Sequence, residues 1–149
     1  MPALEKVTRS DAGLASELRF GVMRLRRRLA MERHPDNPLS LGSMSVLAYL
    51  VRAGDRTVGE LAAFEGVQPP SMTRTVTLLE EAGYVVRRPH ETDGRAVVVQ
   101  VTARGREAVL ADRDRRDAWL DMRLNTLTDE DRALLHRASA LLHQLAQED

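Results

Sequence analysis

The chain has 149 residues, 22 basic and 22 acidic side chains, a formal net charge of zero and no cysteine. That length suits one domain with extensions that buries most of its unfolded surface, and the missing thiols exclude a disulfide framework and a cysteine redox switch. Five aromatic residues, Phe20, Tyr49, Phe64, Tyr84 and Trp119, are too few for the stacking platforms on which single-strand binding depends. Residues 1–6 carry no apolar signal core, and the longest apolar run, 46–51, is too short to span a bilayer, so a cytoplasmic location is expected.

In chain order, Leu14, Leu18, Val22, Leu25 and Leu29 recur at intervals of three and four. They predict an amphipathic helix within residues 12–33, ended by His34-Pro35-Asp36-Asn37-Pro38. Thr57-Val58-Gly59-Glu60 is a capping box, in which a hydroxyl and a carboxylate three residues apart satisfy the free donors of a helix start. The helix it opens carries Leu61, Ala62 and Phe64 and stops at Glu65-Gly66-Val67. A second helix is expected from Gln68-Pro69-Pro70, because proline in a first turn loses no intrahelical bond. Met72, Val76 and Leu79 form its apolar stripe. The opposite face carries Pro70, Ser71, Thr73, Arg74, Thr75 and Thr77, with no carboxylate before Glu80. Hydroxyls and a guanidinium suit base edges and phosphates.

Gly83 ends that helix, and two β-branched runs follow, residues 84–88 and 96–101. They read as a hairpin with a long loop whose Asp93-Gly94 turn needs a positive φ at the glycine. Arg95 at the tip suits a narrow minor groove, with Asp93 orienting its guanidinium. A short helix, a glycine turn, a polar second helix and an arginine-tipped hairpin make a winged helix-turn-helix, spanning residues 41–102, that grips duplex DNA.

Neutral net charge hides an uneven distribution. Residues 84–106 hold Arg87, Arg88, Arg95, Arg104 and Arg106 against Glu91 and Asp93, a surplus of three positive charges. Acids gather later, at Asp112, Asp114, Asp117, Asp121, Asp129, Glu130, Asp131, Glu148 and Asp149, so one face can dock on DNA while the total stays neutral. Residues 103–127 read as a charged helix carrying Val109, Leu110, Trp119, Leu120 and Leu124. Thr128 and Asp131 cap a last helix with Leu134, Leu135, Ala138, Leu141, Leu142 and Leu145 on one stripe.

Enzymatic readings fail at the residue level. His34, His90, His136 and His143 lack metal-ligand spacing, Ser43 and Ser45 lack a nucleophile elbow, and no glycine-rich phosphate loop is present. No cofactor and no metal is expected. The alternative to DNA binding is a winged helix used as a protein-interaction module, which requires an exposed apolar patch around Ser71, Arg74 and Arg95.

Thr57-Val58-Gly59-Glu60-Leu61-Ala62, Leu78-Leu79-Glu80-Glu81-Ala82-Gly83-Tyr84-Val85, Asp93-Gly94-Arg95 and Val101-Thr102-Ala103-Arg104-Gly105 together resemble the multiple antibiotic resistance regulator (MarR) family of transcription factors. The resemblance implies a mainly α fold with a small β-hairpin wing and N- and C-terminal dimerisation helices, here residues 12–33 and 103–147. Leu14, Leu18, Leu134, Ala138, Leu141, Leu142 and Leu145 would then meet a second protomer. It implies a homodimer on a palindromic operator, a ligand-responsive repressor. A small amphipathic aromatic or carboxylate ligand would sit between dimer helices and winged lobe, with Met23, Arg27, Val46, Leu50 and Trp119 as candidate lining. The family's wing usually reads Asp-Arg-Arg; Gly94 holds the middle place here, which removes one potential phosphate contact.

Overall fold

A computed structural model describes residues 13–147. Residues 1–6, the expected helix start at residue 12, and Glu148 and Asp149 of the acidic end lie outside the described residues. Six helices and three strands follow in the order α1 (Leu14–Ala30), α2 (Leu41–Ala53), β1 (Arg56–Thr57), α3 (Val58–Glu65), α4 (Pro69–Glu81), β2 (Val85–Pro89), β3 (Val97–Val101), α5 (Ala103–Leu124) and α6 (Asp129–Leu145). No helix among them is long and apolar enough to cross a membrane.

Local chemistry explains the boundaries. Thr57 Oγ1 accepts the Glu60 N–H at 3.1 Å while Glu60 Oε2 accepts the Thr57 N–H at 2.8 Å, the reciprocal box that opens α3. Gly66 closes the helix in the left-handed region, φ 65°, which glycine enters without a Cβ penalty. Gly83, φ 82°, does the same beyond α4. Thr128 Oγ1 accepts the Asp131 N–H at 3.1 Å to start α6.

The sheet differs from the expected two-stranded hairpin. β3 lies between β2 and a short β1, all antiparallel, with Arg56 and Arg87 both facing Val99 across the ladder. The two residues of β1 are too few to show alternation in sequence. The wing turn differs too: Gly94 is not among the glycines with positive φ. Side chains hold the loop instead. His90 Nδ1 accepts the N–H groups of Thr92 and Asp93 at 3.2 Å each, and Asp93 Oδ1 accepts the Arg95 N–H at 3.1 Å.

The core is that of the winged lobe. Leu47 and Leu50 of α2, Leu61 of α3, Met72, Val76 and Leu79 of α4, and Val85 and Val99 of the sheet are buried together, with Val109 of α5 at the edge. The apolar stripe expected on α4 is thus the buried one. By contrast, α1 and α6 bury no residue at all within this chain. Asp112, one of the acids that gather toward the far end of the sequence, is fully enclosed at 0% exposure. The connector between α1 and α2 folds over it: its Oδ1 accepts the His34 N–H at 3.0 Å and its Oδ2 the Asn37 amide at 3.1 Å.

Candidate nucleic-acid interface

The N-terminal half of α4 stands clear of the core. At about 100° per residue, Pro70, Ser71, Thr73, Arg74 and Thr77 share the arc opposite Met72, Val76 and Leu79. The first four of these are exposed. Pro69 and Pro70 carry no N–H, and the Ser71 and Met72 N–H groups both return to the Gln68 carbonyl, at 3.0 and 3.2 Å. The usual anion site at a helix N-terminus, built from free amides, is therefore missing here. Side chains must supply the contacts.

Not all the hydroxyls expected on this face are available. Thr75 and Thr77 are half-buried and donate to the carbonyls of Ser71 and Thr73, at 3.2 and 2.9 Å. Thr77 Oγ1 also accepts from Arg87 Nη2 at 3.0 Å. Back-bonding of this kind satisfies a helix hydroxyl locally, so the free polar set contracts to Ser71, Thr73 and Arg74. Leu78, which sequence reasoning did not single out, lies on the same arc at 60% exposure and offers an apolar surface of the kind that meets a thymine methyl.

On the wing, Arg95 is exposed and joins no ion pair among the described residues; Arg74 on α4 and Arg88 on β2 are in the same condition. Asp93 orients the Arg95 backbone rather than its guanidinium, leaving the charge free. Arg87 is different. Its backbone N–H and Nη1 both reach the Glu80 carboxylate, at 2.9 and 2.7 Å. The Arg87 backbone N–H, followed by its guanidinium, holds the Glu80 carboxyl below the usual range. Of the surplus charge on residues 84–106, Arg87 is thus spoken for, and Arg104 lies over the Tyr84 ring at 4.7 Å.

The residues named for a ligand crevice do not come together. Val46 and Leu50 are core residues, 1% exposed, because the inward face of α2 packs under the sheet rather than toward α1. Trp119 is approached by two guanidiniums, Arg28 at 4.4 Å and Arg123 at 5.3 Å from its ring centre. Met23 and Arg27 do line a cleft of about 740 Å³ between α1, α2 and α5, together with Arg26, Met44 and Arg116.

A model of the MarR family matches residues 37–96. An uncharacterised HTH-type transcriptional regulator of Mycobacterium leprae is 46% identical over 139 residues, which is 93% of this chain and 96% of the relative. The chain belongs to the MarR family. As a MarR-family member it is a DNA-binding transcriptional regulator and not an enzyme. The crystal structure of a transcriptional regulator from Pseudomonas aeruginosa superposes with a TM-score of 0.85 at 33% identity, covering 96% of this chain and 99% of that one. A MarR family protein from Bacillus stearothermophilus gives 0.79 at 25% identity, covering 96% and 100%.

Proposed function

We propose that the protein is a homodimeric repressor that grips a palindromic operator with two copies of α4 and the wing and lets go when an anionic amphipathic molecule enters the α1–α2–α5 cleft. The observation that carries the reading is that Arg74 on α4 and Arg95 on the wing tip are exposed and join no ion pair among the described residues, in a chain whose total charge is zero. Arg74 meets the major groove with Ser71 and Thr73 beside it, and Arg95 enters the minor groove. Two copies related by a twofold axis match half-sites about 34–36 Å apart. Occupying such a site excludes other proteins from it, which is repression.

The second copy is supported by the uncovered apolar faces of α1 and α6, where Leu14, Leu134, Leu141 and Leu145 are all more than half exposed. Patches of that kind on a water-soluble chain mark an interface. The ligand reading is supported by the cleft's volume, inside the roughly 300–1,000 Å³ of small-molecule sites, and by Arg26, Arg27 and Arg116 on a lining that is otherwise apolar but for Ser45. The deciding experiment is footprinting of the purified protein on DNA upstream of its own coding sequence, over a salt series and with benzoate-type acids added. Symmetric protection that fades with salt and with ligand is expected. Absence of protection at every salt concentration would sink this reading in favour of a protein-interaction module.

A further inference from the structure

We infer that Arg87 is a positioning residue that sets the angle between recognition helix and wing, and that sequence discrimination depends on it although it touches no DNA. This rests on the DNA-gripping reading above. The Glu80 carboxylate takes both the backbone N–H and the Nη1 of Arg87, at 2.9 and 2.7 Å. Two points of attachment to one residue fix β2 against the last turn of α4 in rotation as well as in distance. The other arm of the fork, Nη2, reaches Thr77 Oγ1 at 3.0 Å, and that hydroxyl holds the Thr73 carbonyl at 2.9 Å. A continuous polar chain thus runs along α4 from beside the exposed Thr73 and Arg74 to the middle of the strand that leads to Arg95.

Arg87 also sits at the centre of the sheet register, opposite Val99, which is wholly buried and faces Arg56 on its other side. Holding this point therefore holds the whole wing. Both partners are partly exposed, with side chains 29% and 38% accessible, and a screened pair of that kind adds little to stability. Its consequence is geometric. Arg74 and Arg95 must meet two different grooves at once, and a wing free to swing against α4 loses the joint fit that distinguishes an operator from other DNA. Lysine cannot reproduce the planar fork that bridges Glu80 and Thr77.

The test compares wild type, Arg87→Lys and Glu80→Gln for binding to the protein's own upstream fragment and to random-sequence duplex across a salt series. Thermal melting is recorded for each, with hydroxyl-radical footprints. Both substitutions should lower the operator-to-random ratio about tenfold, the scale of one misplaced base contact, and blur the wing's protection, while in Arg87→Lys, which keeps the charge, random-duplex affinity and salt slope stay as in wild type. Thr77→Val, which leaves the Glu80 pair intact, should give a smaller loss in the same direction. A ratio equal to wild type in Arg87→Lys and Glu80→Gln, even with lower melting temperatures, would make the pair a plain structural brace and overturn the inference. So would equal loss on both DNAs with a slope reduced by about one in a charge-removing Arg87→Gln variant, the mark of a direct phosphate contact. If wild type protects nothing, the DNA-gripping reading falls and takes this one with it. Wild-type protection with unaltered variants overturns this inference alone.

Discussion

Asp112 is the one charged side chain that is fully buried among the described residues. The His34 N–H and the Asn37 amide donate to it, and the guanidiniums of Arg33 and Arg116 stand off at 4.0 and 3.9 Å. Asn37 in turn accepts the Leu39 N–H at 2.9 Å, so a single carboxylate from α5 organises the connector that joins α1 to α2. Replacing it with alanine removes the acceptor of two part-buried donors, and Asp112→Ala should cost roughly 1–3 kcal/mol, measurable as a fall of several degrees in thermal melting. An unchanged melting temperature would show that the connector holds its shape without the carboxylate. The sequence hid this role: Arg113-Asp114-Arg115-Arg116 beside it reads as a solvated helix face, and the two hydrogen-bond donors to Asp112 come from residues 75 or more positions away. At the DNA-facing positions the free side chains make sharper claims. Arg95→Ala should weaken operator binding by roughly 1–3 kcal/mol, the worth of one good specific contact, with melting unchanged because the wing tip touches no core. Arg74→Ala should instead relax preference at about one base position per half-site if its contact is to a base. Equal affinities for wild type and both variants in a titration at fixed salt would remove these arginines from the interface.

Elements were legible where the signal is local. The Met72, Val76 and Leu79 stripe, the Thr57–Glu60 box and the glycine stop after α4 are all written within a few residues, and each appears as expected. What sequence could not give was direction within a face. Thr75 and Thr77 share the polar composition of the α4 surface, yet their hydroxyls turn back to the helix, and Thr77 is claimed by a strand ten residues on. The pairing of β1 with β3 likewise depends on chain more than forty residues away. One junction is legible only after the fact. Thr102 donates its hydroxyl to the Gly83 carbonyl at 2.6 Å and its N–H to the Tyr84 carbonyl at 3.0 Å, then caps α5 by accepting the Gly105 N–H. A Cβ on Gly105 would fall 2.3 Å from the Tyr84 carbonyl oxygen, backbone that a rotamer change cannot move. Gly105→Ala should therefore destabilise by roughly 1–3 kcal/mol through overpacking. Wild-type melting in that variant would mean that α5 can slide away from the sheet at no cost.

For the molecule as a whole, the division is between a lobe with its own core and two terminal helices with none. Helices α1 and α6 are amphipathic, yet neither buries a residue within the chain, and Leu141 is 60% exposed. Charged replacements at Leu141 and Leu142 together should shift wild-type dimers to monomers or unfold the chain, which sedimentation velocity reads directly. A well-folded wild-type monomer at micromolar concentration would defeat the homodimer.

Helix α5 ties these two parts together. It begins at the root of the wing, where Thr102 holds Gly83 and Tyr84, and near its other end Trp119 lies under Arg28 of α1. Its 22 residues make a rod roughly 33 Å long. Over an arm of that length, a tilt of about 5° at the α1 end carries the wing root through roughly 3 Å, close to the 3.4 Å step between stacked bases. The homodimer proposed above would have two such arms, whose displacements add when they tilt in opposite senses. In the proposed homodimer the long helix would thus act as a gear: repacking too slight to disturb the core would move one reading head against the other by about two rungs of the DNA ladder.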